Sequence, residues 1–84
     1  MERQKKNLKP DDRAYLQLLY RWYYARMSQS DHSPATMSML YLSDIDDEMD
    51  HSLHFSYIRK IKNAGYIDFH RVGKDGGLIK FLQF

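Results

Sequence analysis

The chain has no cysteine, only two prolines and four glycines among its 84 residues, and no apolar run approaching the length of a membrane span. Each absence removes a class of protein. Without cysteine there is no disulfide framework, no thiolate nucleophile and no cysteine-ligated zinc, and a reducing compartment fits, so the cytoplasm is the expected location. No membrane anchor is expected, and the polar, basic start from Met1 to Asn7 has no apolar stretch behind it to make a signal peptide. The scarcity of glycine and proline, with 43% hydrophobic residues, argues against wholesale disorder. A chain of this length has room for one domain around one core.

What is present is strongly segregated charge. The net charge is only +2. Residues 1–10 carry Arg3, Lys5, Lys6 and Lys9 against Glu2, a net +3. Residues 31–50 carry Asp31, Asp44, Asp46, Asp47, Glu48 and Asp50 with no lysine or arginine, a net −6. Residues 51–84 carry Arg59, Lys60, Lys62, Arg71, Lys74 and Lys80 against Asp68 and Asp75, a net +4. An acidic middle between basic flanks gives a polyanion one side to approach.

The periodicity divides residues 1–9, a flexible basic arm, from a domain over residues 10–84. Pro10 suits a first helical turn, where its missing N–H costs nothing, and Asp11 and Asp12 complement the helix dipole. From Ala14 to Met27 no glycine or proline intervenes, and Tyr15, Leu18, Leu19, Trp22 and Tyr23 share one helical face. Leu16, Tyr20, Tyr24 and Met27 widen that face beyond a single stripe. Two occupants fit the surplus: the domain's own core, or a second copy in a homodimer through this helix.

After a polar loop over Ser28 to Ser33, Met37 to Leu42 is compatible with a short strand or a helix. Ser43 has the character of an N-cap, with Asp46 as a short capping-box acid, for a helix running to about Met49. Asp50, His51 and Ser52 make a turn and a new cap. Phe55, Ile58 and Ile61, with Leu53 nearby, then line one face of a longer helix whose other face carries Ser56, Arg59, Lys60 and Asn63. Gly65 closes it in the left-handed conformation. Beyond it the period falls to two: Ile67 and Phe69, then Ile79 and Phe81, bracket Gly73-Lys74-Asp75-Gly76-Gly77, whose glycines supply the positive φ of a hairpin turn. The expected class is α+β, a three-helix core with a C-terminal two-stranded hairpin.

The stretch LSDIDDEMDHSLHFSYIRKIKNAGYI, Leu42 to Ile67, resembles the helix-turn-helix core of winged-helix transcriptional regulators, and the hairpin through VGKDGGLIKF resembles the wing. By element order the resemblance spans roughly residues 14–84. It implies a DNA-binding face made of Ser52, His54, Ser56, Tyr57, Arg59 and Lys60 on the recognition helix, with Arg71, Lys74 and Lys80 on the wing. One feature departs from the pattern. The short helix that runs near the DNA backbone in typical members carries Asp44, Asp46, Asp47 and Glu48 here, with Asp50 at the turn, and these carboxylates must face away from phosphate.

Other chemistries fit less well. His51 and His54, with Asp47 and Asp50, have metal-like spacing but no HExxH frame, so no metal is expected. The alternating acids lack a calcium loop's glycine, since Met49 stands there, and Phe55 stands where the closing glutamate belongs. The Gly73–Gly77 stretch lacks P-loop spacing. No serine or histidine sits in a nucleophile frame, so neither an enzyme nor a cofactor is expected. The expected function is sequence-specific binding of duplex DNA in transcription regulation. A winged-helix module docking a protein partner through the acidic short helix and the aromatic first helix is the alternative, and an acidic mimic of nucleic acid is a third.

Overall fold

Twenty residues without an internal glycine or proline form α1, Pro10–Gln29, in the computed structural model, which describes residues 7–29 and 37–82. Asp11 and Asp12 occupy its first turn and Arg26 its last, the charge order that the helix dipole favours. Its inward face is Tyr15, Leu16, Leu19 and Tyr23, while Leu18 and Trp22 are half-buried. Residues 1–6 of the expected arm lie outside the described residues. In the remainder of that stretch, Leu8 packs against the core, and the Lys9 carbonyl accepts a bond from the Arg13 amide.

The remaining order is β1, Ser38–Tyr41; α2, Leu42–Ile45; α3, His51–Asn63; β2, Ile67–Arg71; and β3, Gly76–Phe81. The strands form one antiparallel sheet in the order β1-β3-β2. The domain is thus α+β with three helices and a three-stranded sheet, rather than a hairpin of two strands alone. Of the ambiguous stretch Met37 to Leu42, Ser38–Tyr41 becomes a strand because the outer edge of β3 is open to it, and Leu42 begins α2: Ser38 stands opposite Ile79, and Tyr41 opposite Gly76. Tertiary pairing settles what local pattern left open.

The second helix is shorter than its sequence suggested. It ends at Ile45, and its N-cap is Tyr41 without a side-chain cap bond, so the Ser43 capping box does not form. Asp46 instead turns its carboxylate onto the Glu48 amide, the local bond with which aspartate competes against helix. α3 begins after Asp50 and ends as expected. Gly65 has φ +93, its amide bonds the Lys62 carbonyl and the Tyr66 amide bonds that of Ile61, the paired bonds of a Schellman cap.

The hairpin turn is tighter than the glycine run implied. Val72 N–H bonds the Gly76 carbonyl, so the tip is Gly73 to Asp75, and only Gly73 of this run has positive φ. Gly76 and Gly77 belong to β3 and are required for proximity. A Cβ on Gly76 would strike the Leu40 carbonyl oxygen, and one on Gly77 would lie 2.7 Å from Phe69 Cζ and 2.8 Å from Arg71 Cα.

The core lies between the sheet's inner face and the helices. Leu19, Leu40, Leu42, Ile58, Ile61, Ile67 and Ile79 are almost fully buried, each contributing about 1.5–3 kcal/mol relative to exposure. Phe81 collects the aromatic surplus of α1, with Tyr20 stacked on it at 5.0 Å and Tyr23 tilted against it at 4.6 Å. Tyr24 is left 63% exposed.

Candidate nucleic-acid interface

α3 presents three different surfaces. Its buried edge is His54, Ile58 and Ile61, spaced four and three residues apart, so His54 occupies the inward position expected of an apolar residue while Leu53 is 44% exposed. His54 is 0% exposed and cannot reach DNA, which corrects its place in the expected binding face. Its Nε2 lies 2.9 Å from the Asp46 carbonyl, which can only accept, so Nε2 carries the proton. In the neutral ring Nδ1, 2.6 Å from Tyr15 Oη, is then the acceptor of the phenol's proton. Burial, with a smaller contribution from the Asp46 charge, pushes the Tyr15 pKa well above its ordinary 10.0. The bond joins α1 to α3, and the Asp46 carbonyl ties both to the α2–α3 turn.

On the flank toward α1, Tyr57 is half-buried and stacked on Tyr15, with ring centres 5.1 Å apart, and Lys60 Nζ lies 5.9 Å from the Tyr57 ring. Tyr57 thus has a packing role besides any contact it makes outward. The solvent face proper carries exposed Ser52, Arg59 and Asn63 with half-buried Ser56.

The flank toward the sheet forms a groove. Phe55, Ile58, Arg59 and Lys62 from α3 face Phe69, His70 and Arg71 from β2 around a volume of about 320 Å³. Among the described residues, no carboxylate lines it. The Arg71 guanidinium carbon lies 4.1 Å from the centre of the Phe55 ring, and its Nε donates to the Gly73 carbonyl at 3.0 Å. Lys62 Nζ donates to the Phe69 carbonyl at 3.1 Å. Phe55 and Phe69 approach with centroids 6.2 Å apart. Neither Phe55 nor Lys62 was a candidate from sequence: Phe55 reads as core, and Lys62 lies seven residues on, along the same helix flank, where only the pairing of β2 reveals its surroundings.

The wing residues do not all join this groove. Arg71 does. Lys74 is exposed at the hairpin tip, beside Asp75, whose carboxylate lies 3.7 Å from His51 Nδ1. Lys80 alternates with buried Ile79 and Phe81 and stands opposite Asp68 on the outer side of the sheet, away from α3.

Asp12 lies beside Lys60 and Asn63, and Asp68 beside Lys62 and Asn63, but the acidic residues of the 44–50 stretch gather at the other end of α3. Asp44 is exposed on α2, and Asp47, Glu48 and Asp50 are exposed along the turn into α3. Asp50 and Arg59 stand nine positions apart, about 13 Å along a helix axis. That exceeds the roughly 8 Å screening length at physiological salt. Among the described residues, no helix is long and apolar enough to cross a membrane. No protein-family model matches the chain, and comparisons with curated proteins and with solved structures find no match either.

Proposed function

We propose that this chain is a winged helix-turn-helix domain that binds duplex DNA as a sequence-specific regulator, with α3 in the major groove and the β2–β3 hairpin as its wing. The element order supports the reading: helix, short strand, short helix, longer helix, then a hairpin whose tip packs back on the start of α2 through the Leu42 amide and the Asp75 carbonyl. The observation that carries it is convergence of charge. Arg59 and Lys62 from α3 and Arg71 from β2 meet along a groove without a carboxylate, beside a helix face of Ser52, Ser56, Arg59 and Asn63.

In this reading the division of labour follows from chemistry. Lysine and arginine release counterions from phosphate, which gives affinity without sequence. Arg59 and Asn63 lie four apart on the solvent face, and arginine and asparagine are the side chains that pair with guanine and adenine edges. The DNA lies over this face of α3 with its phosphates toward the Arg59, Lys62 and Arg71 end, away from the acidic turn. Selection of duplexes from a random library tests this: an enriched site whose recognition is relaxed by Arg59→Ala is expected, and no enrichment overturns it.

A further inference from the structure

We infer that the groove between α3 and β2 is a binding site for one phosphate group, clamped by the Arg71 guanidinium. This rests on the nucleic-acid reading and adds to it a defined receptor at a defined place. Arginine binds phosphate best when its planar fork is fixed before the ligand arrives, because less freedom is then lost on binding. Arg71 is fixed twice. Its Cζ lies over the Phe55 ring, 4.1 Å from the ring centre, and the Gly73 carbonyl takes its Nε hydrogen at 3.0 Å. Of the five N–H donors of a guanidinium, only that one is bonded among the described residues, so the Nη pairs remain as a fork for oxygen.

The surroundings complete an anion site. Lys62 is held at the groove wall by its bond to the Phe69 carbonyl, and Arg59 stands at the rim with no acid among the lining residues. The floor, Phe55 and Phe69, is apolar and lowers the local dielectric, which strengthens each charge–phosphate contact. A tetrahedral dianion or a phosphodiester fits the volume of about 320 Å³ with water to spare. The phosphate has two sources, an interior phosphodiester of the duplex or a terminal phosphomonoester at a strand end.

The test is an NMR titration of the intact chain with inorganic phosphate against sodium chloride of equal ionic strength, read at the Arg71 side-chain Nε–H and the amides of Arg59, Lys62 and Arg71. Saturable shifts with phosphate alone are expected, and Arg71→Lys, which keeps the charge on an exposed side chain, should weaken them roughly tenfold. Duplex binding should weaken similarly. Equal affinity for 5′-phosphorylated and 5′-hydroxyl duplexes assigns the interior phosphodiester, and a preference for the former assigns the strand end. If phosphate shifts nothing beyond chloride, and Arg71→Lys binds duplex as the parent does, the clamp is overturned. Salt-sensitive duplex binding by the parent would then still stand on the solvent face of α3, so the two failures are distinguishable.

Discussion

Tyr15 and His54, 39 positions apart in the chain, meet through a hydrogen bond of 2.6 Å between the phenol oxygen and imidazole Nδ1. Tyr15→Phe keeps the ring and its stacking on Tyr57 but leaves Nδ1 buried without a donor. The expected cost is about 1–3 kcal/mol, read as a lower urea midpoint with unchanged slope.

The same tyrosine gives the fold a pH dependence on the alkaline side. Its folded pKa is raised by burial, so the neutral phenol is favoured in the folded state. The associated stability is complete below the unfolded value of 10.0 and is lost as pH rises above it toward the folded value. Tyr20 is raised in the same sense, by burial first and then by Tyr24 and Tyr66. Urea melts between pH 8 and 11 should therefore show stability falling above about pH 10, with a shallower fall for Tyr15→Phe and some fall remaining from Tyr20.

Gly77→Ala should be among the most damaging small substitutions. Its methyl would meet the His70 carbonyl oxygen, Phe69 Cζ and Arg71 Cα, so β2 must move away from β3 or a ring must leave its place. A loss of roughly 1–3 kcal/mol is expected from overpacking, with weaker duplex binding because Arg71 is displaced. Gly73→Ala tests the distinction: nothing lies near its Cβ, and its cost comes only from φ +76.

The acidic turn separates the DNA reading from its alternative. Asp47→Lys with Glu48→Lys adds positive charge at exposed positions beside α3. A DNA-binding domain should keep or gain duplex affinity, measured by anisotropy. A module that docks a basic protein through α2 and this turn should gain nothing on DNA and lose its partner.

These contrasts show where local pattern suffices. α1, α3, the Gly65 cap and the hairpin are legible because their periods and breakers act within a few residues. β1 is not, since Ser38–Tyr41 becomes a strand only by pairing with β3. His54 misleads for a related reason. A polar residue between Leu53 and Phe55 reads as surface until its two partners, Tyr15 and the Asp46 carbonyl, are brought to it from other elements. Arg59 and Arg71 are legible as cations, but the groove that joins them depends on β2 folding back along α3, and Phe55, its floor, carries the signature of a core residue. Lys80 shows the reverse error, a wing cation that strand alternation sends to the far side of the sheet.

The most direct measurement is a fluorescence-anisotropy titration of the intact chain against random-sequence duplex DNA across a range of sodium chloride concentrations. If Lys62 and Arg71, with Lys60 and Lys74 at the margins, meet phosphates, two to four contacts give a slope of log K against log salt of roughly −2 to −3.5. Lys62→Ala and Arg71→Ala should each make it shallower by about one unit, while Lys80→Ala should not. Absence of binding at low salt, or binding whose salt slope survives loss of both Lys62 and Arg71, would contradict the account.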